Sequence, residues 1–147
     1  MMDQTLAAGR IALGAILVNA AAVKIPDMAA FAADVANYRL APAAAVPFLV
    51  SAVVGVELLA GLALVAGVAA RGAALVAGGL LGVFMVALSQ ALLRGIDLRC
   101  GCFGGQEPAS WWRVAEDAGL LLLAVAVALR GPGRLTPGRP AAEAAAG

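Results

Sequence analysis

Four long apolar runs, joined by short polar connectors, leave this chain few ways to fold. Leu6 to Val23 is apolar apart from Arg10 and Asn19, Ala43 to Ala70 holds a single charge at Glu57, Gly72 to Leu93 holds none, and Val114 to Leu129 is apolar after Glu116 and Asp117. A bilayer core needs roughly 20 apolar residues per helix, so four crossings nearly use up the chain and no separate soluble domain fits. The expected fold is all-α, an integral membrane four-helix bundle forming one transmembrane domain over residues 1–130, with spans at about 6–23, 46–70, 72–93 and 112–129. Residues 131–147, rich in Gly, Pro and Ala with no periodic apolar face, read as a disordered tail.

Composition removes several function classes. The net charge is only +1 and the basic residues sit scattered at segment ends, so the basic stripe that nucleic acid requires is missing. There is no histidine, which takes away the usual haem ligand, the Cys/His zinc patterns and the commonest proton carrier at neutral pH. Redox or acid–base work falls to thiols, carboxylates and a bound cofactor. Residues 1–23 have the small residues of a cleavage site after an apolar run, but Asp3, the lack of a preceding lysine and the near-spanning length make them the first helix.

Between the first two spans, Phe31, Val35, Tyr38 and Leu40 alternate with Asp34, Asn37 and Arg39 at helical spacing. Pro26 and Asp27 suit a helix start and Pro42 suits its end, which predicts a short interfacial helix with Tyr38 at headgroup depth. The second span is long, so it tilts or leaves its first turn, around Pro47, outside the hydrocarbon. Gly55, Gly61 and Gly67 recur along it, and Gly78 with Gly82 forms a GxxxG in the third; packing is the expected role. Half of the ten basic residues fall on each side of such a bundle, so charge counting alone gives no orientation. The basic tail and the lack of acids near Arg71 lean toward termini inside. The loop between the last two spans then shares the outer face with the interfacial helix, where thiols can become disulfides.

That loop carries both cysteines in "LRCGCFGGQEPASWW". A bridge between Cys100 and Cys102 needs a tight fold of the chain between them, which Gly101 permits. As a staple it is poor: so small a ring contributes roughly 1.6 kcal/mol before strain, against about 3 for a fifteen-residue loop. Strain and exposure move a disulfide toward the labile, oxidising end, so exchange fits better. Arg99 adjoins Cys100 and Arg94 is near in sequence, and cations stabilise thiolate over thiol. Two other readings stand beside this one: a pair of ordinary small loop residues, and a Cu(I) site, for which two thiolates are suitable ligands. No metal is assigned.

Taken in order, "AAAVKIPDMAAFAADVANYRLAP", "VELLAGLALVAG", "RGIDLRCGCFGG" and "SWWRVAEDAGLLLL" resemble the MauE family of methylamine utilisation proteins, within the wider DoxX-like group. The resemblance runs over about residues 6–129, and its most specific part is CGCFG followed by a Trp-containing helix. It implies a four-helix protein of the bacterial cytoplasmic (inner) membrane that acts with a thioredoxin-like partner. The implied client is exported: the disulfide-rich small subunit of methylamine dehydrogenase. The matching positions are Cys100, Gly101, Cys102, Phe103 and Gly104, with Lys24, Tyr38, Pro42 and Glu57 in the accompanying pattern. Quinone is the electron acceptor suggested by analogy with DoxX-like proteins.

An acid at mid-span is costly, and Glu57 is a functional-site hypothesis for that reason. Three roles are open to it: a protonated, hydrogen-bonded clamp, a partner for Arg10, or a proton acceptor beside quinone. Trp111 and Trp112 suit an aromatic belt, or a wall for a flat ring near the thiols. Glu116 and Asp117 have Lys24, Arg94 and Arg113 as possible partners. The leading reading is a membrane thiol–disulfide component with Cys100 and Cys102 as the exchange pair, one attacking and its neighbour resolving. The alternatives are a non-catalytic scaffold for the thioredoxin-like protein and a Cu(I)-binding membrane protein. Oligomeric state is open.

Overall fold

The computed structural model describes residues 2–96 and 110–131. All elements among them are helical: α1 (Met2–Lys24), α2 (Met28–Asn37), α3 (Val46–Ala66), α4 (Ala70–Leu93) and α5 (Trp111–Arg130), with 3₁₀ turns at Ile25–Asp27 and Ala43–Ala45. The four long helices pack in chain order around a ring, α1 on α3, α3 on α4, α4 on α5 and α5 back on α1. Neighbouring long helices run antiparallel: Arg10 in the first half of α1 meets Val65 near the close of α3, and Val114 at the start of α5 packs on the cluster of Leu88 and Ala91 near the close of α4. One end of the bundle therefore gathers the close of α1, all of α2, the start of α3, the close of α4 and the start of α5; we call it the head.

The residue sizes are inverted relative to a soluble bundle. The main core is Leu13, Leu17, Ala60, Leu64, Ala73, Ala74, Ala77, Leu81, Ala124 and Val127, half of them alanine, while Leu59, Leu75, Val86, Leu122 and Leu129 point outward. Small residues inside let helices approach closely, and large apolar side chains outside are at home only in lipid. Three helical segments are long and apolar enough to cross a bilayer, at Met2–Asn37, Ala43–Ala66 and Ala70–Leu93. This is a multi-pass membrane protein. The fourth long helix, α5, is not among the three: Arg113, Glu116, Asp117 and Arg130 crowd its 20 residues.

The tightest crossing is α1 on α3. A Cβ on Gly14 would lie 2.7 Å from the Gly61 carbonyl oxygen, and one on Gly61 would lie 2.8 Å from the Gly14 carbonyl oxygen. Gly61 thus packs as expected, through a partner, Gly14, that its own spacing pattern does not reveal. Gly67 instead ends α3 in the left-handed region, at φ 77°, with its N–H bonded to the Ala63 carbonyl. Among the described residues Gly55 and Gly82 meet nothing within 4 Å, so the GxxxG of α4 forms no packing seam with them: of its two glycines Gly78 alone approaches α5, at Leu121 and Ala124. Arg10, buried in α1, donates from Nη1 to the Leu64 and Val65 carbonyls at the close of α3, a cation at the negative end of a helix.

One sequence expectation is corrected at the head. Asp27 does cap α2, its Oδ1 accepting from the Ala30 N–H at 2.9 Å, but α2 stops at Asn37 and does not run to Pro42. The Tyr38 and Arg39 N–H groups turn back onto Val35 and Ala36, and Arg39 takes a φ of 55°, which no helix continues. Tyr38 is buried against Leu88 and Ala91, with Phe84 and Val114 packed on the same cluster. The second long helix starts at Val46 with a proline in its first turn and closes at Ala66, short of Ala70.

Gly61→Val should lower the unfolding free energy in detergent micelles by about 1–3 kcal/mol, since backbone faces backbone and the helices must part. Gly82→Ala should leave it unchanged or raise it by up to about 1 kcal/mol. Equilibrium unfolding in mixed micelles measures both.

Candidate functional site

Lys24 is the last residue of α1, yet it is 2% exposed. Side chains on a helix lean toward its N-terminus, so the Lys24 ammonium swings back into the bundle instead of out to water. There it meets Glu57, at the middle of α3: Nζ donates to Oε1 at 2.7 Å and to Oε2 at 2.9 Å. Glu57 is 1% exposed. Above this pair α2 lies across the groove between α1 and α3, with Phe31 packed on Ala21, Val46, Val50 and Val54. The Phe31 ring centre is 5.0 Å from Nζ, and the Phe84 ring of α4 is 5.8 Å away on another side. Two aromatic faces thus supplement one carboxylate around a single ammonium.

Removing a lysine and a glutamate from water is costly, and the two recover it only through close, well-aligned contact with each other and with the rings. Four elements supply the parts: α1 the cation, α3 the anion, and α2 and α4 one ring each. Next to this cage, Gln90 of α4 donates from Nε2 to the Tyr38 carbonyl at 3.2 Å, tying the end of α2 to α4. Arg94 donates to the Gln90 Oε1 at 2.9 Å. The head is therefore one connected unit from α1 to α4.

On α5, Arg113 pairs with Glu116 at 3.0 Å, near the surface. Asp117 turns inward, 1% exposed, and neither of its oxygens has a hydrogen-bond partner. The segment carrying the thiols follows the close of α4 at Leu93 and precedes the start of α5 at Trp111, both at this same end. Arg99, Cys100, Gly101, Cys102, Phe103 and Gly104 lie outside the described residues. Among those described, no group of three or more His, Cys, Asp or Glu side chains could hold a metal.

Lys24 and Glu57, singled out far apart in sequence, thus meet directly. The family model of methylamine utilisation protein MauE matches residues 2–130. The chain belongs to the MauE family. The methylamine utilization protein MauE of Paracoccus denitrificans is 36% identical over 122 residues, which are 81% of this chain and 66% of that protein. The chain thus spans just under two thirds of its relative's length. No solved structure matches.

Within this MauE-family head, several sequence alternatives resolve. Glu57 takes Lys24 as its partner and not Arg10, which is held at the far end of α3. Glu116 takes Arg113, and Asp117 is hydrogen-bonded to none of Lys24, Arg94 or Arg113. Trp111 and Trp112 are 55% and 71% exposed, on the outer surface where an aromatic belt would lie. Phe31, Phe84 and Gln90 were not singled out from sequence as members of this assembly. Apolar periodicity marks Phe31 only as an inward residue, and nothing in sequence tells a ring over an ammonium from a ring in a core.

Lys24→Met should cost about 3–5 kcal/mol of stability, because it strands a buried carboxylate. Glu57→Gln should cost a similar amount, and Lys24→Met/Glu57→Gln together should cost clearly less than the sum. A double-mutant cycle in micelles tests this; additive losses would mean that the two side chains do not interact.

Proposed function

We propose that this protein is a membrane thiol–disulfide component that supports disulfide formation or maturation of an exported client, with Cys100 and Cys102 as its exchange pair. The observation that carries the reading is topological: the segment holding both cysteines joins α4 to α5 at the head, the end built around the buried Lys24–Glu57 pair. The relative's name connects that protein with methylamine utilization, and we take the same process for this chain. The disulfide-rich small subunit of methylamine dehydrogenase is then the client, delivered with a thioredoxin-like protein. Lys24, Glu57 and Tyr38 act as positioning residues, bracing the helix ends from which the thiol segment departs. Trp111 anchors the start of α5 at the interface; Gly101, Phe103 and Gly104 complete the cysteine motif, and Arg99, adjoining Cys100 in sequence, favours its thiolate.

In this reading α5 is the fourth crossing, with its charged first turns at the head, and the head faces the outer side of a bacterial inner membrane. Exchange proceeds by attack of one thiolate on a partner disulfide: a new intermolecular S–S bond forms and one partner sulfur leaves as thiolate. The neighbouring thiolate then attacks the mixed disulfide, leaving Cys100–Cys102 oxidised and the partner reduced. The reverse sequence transfers the disulfide to a client. Quinone is the acceptor that would reoxidise a reduced pair, taking two electrons and two protons.

Alkylation and mass spectrometry of membranes equilibrated with thiol–disulfide buffers should show Cys100 and Cys102 titrating together, at a potential above the roughly −300 mV typical of structural disulfides. Cys100→Ser/Cys102→Ser should abolish client maturation. Thiols that stay reduced throughout, with maturation intact in the double variant, would leave only a scaffold role.

A further inference from the structure

Asp117 has no part in the reading above, and its setting differs from that of every other acid described. Its side chain is buried inside the helical bundle, and neither Oδ1 nor Oδ2 is bonded. Glu57, equally buried, has both oxygens on the Lys24 ammonium. A carboxylate in apolar surroundings is tolerated with a cation, with hydrogen-bond donors, or after taking up a proton.

Among the described residues, three cations near the head are engaged, and Arg39 is exposed. On α5 itself Arg113 bonds Glu116, Arg94 on α4 bonds Gln90, and Lys24 on α1 bonds Glu57. The wall opposite is apolar: α4 has no titratable side chain between Arg71 and Arg94, and contributes Phe84, Ala87 and Leu88 around Val114, one turn above Asp117. Helix α1 has none between Arg10 and Lys24. The titratable group within α2 is Asp34; Tyr38, the residue after that helix, belongs to the cluster with Val114.

We propose that Asp117 is a proton-exchanging carboxyl in the interior of the bundle, its ligand being H⁺ itself. The step is the gain or loss of one proton at the carboxylate, with no other bond altered. The Arg113–Glu116 pair, on the head side of Asp117 and partly exposed, is the route by which the proton arrives. This assignment holds whether or not Cys100 and Cys102 exchange disulfides.

Dicyclohexylcarbodiimide, an apolar reagent that adds to carboxyls carrying a proton, tests it on the intact protein in native membranes, with adducts located by peptide mass spectrometry. The adduct should form at Asp117, fall by up to about tenfold for each unit of rising pH across the titration, and be absent from Glu57 and from exposed Asp27. Asp117→Asn should remove it and Asp117→Glu should restore it. Should Asp117→Asn fail to insert, the wild-type pH profile decides by itself. Reaction at Glu57 in place of Asp117, reaction independent of pH, or reaction at Asp117 only after denaturation would each overturn the proposal.

Discussion

The contact between Lys24 and Glu57 governs how the head of this protein is built. A lysine at the end of α1 could reach water with little effort, yet its ammonium is drawn inward to a carboxylate at mid-span and lodged between two phenyl rings. Once both charges are out of water, anything that separates α1 from α3 exposes each to hydrocarbon alone. The pair therefore fixes the register of α1 on α3, and the Phe31 and Phe84 contacts extend that constraint to α2 and α4. Buried ion pairs contribute modestly to net stability but penalise every arrangement in which they are broken.

That register is possible because of a second feature at the opposite side of the same crossing. Gly14 and Gly61 bring the two backbones into direct contact. A larger residue at either would hold the helices apart and lengthen the Lys24–Glu57 contact beyond hydrogen-bonding range. Arg10, bonding the carbonyls at the close of α3, locks the other end of the pair of helices. Polar groups at two depths and glycines between them align α1 with α3, where lipid supplies no hydrophobic drive for association.

The head then has two carboxyls in opposite conditions. Glu57 is neutralised in place, while Asp117, on the helix that follows the thiol segment, has no fixed partner among the described residues. A rigid, internally balanced pair suits bracing; an unpartnered acid suits a changing protonation state. In a reaction that moves electrons and protons together, the two would serve different ends.

The apolar runs determined the helical class, the approximate position of the long helices and the membrane setting, because twenty or so residues without hydration partners must bond their own backbone as helix. Asp27 and Pro47 were legible as helix starts from residue chemistry alone, and the order of the quoted segments pointed to the family. Partner choice was not legible. The sequence offered Arg10 to Glu57 and Lys24 to the acids of the last helix, and the Gly14–Gly61 crossing, with the backward lean of a helical side chain, brought Lys24 to Glu57 instead. Likewise the glycines of α4 looked like a seam but meet nothing at Gly82, while Gly14, unremarked in sequence, makes the closest approach. Burial of Tyr38, the early stop of α2 and the isolation of Asp117 all depend on how neighbouring helices are rotated about their axes. Periodicity in one segment restricts that rotation, and packing against the others decides it.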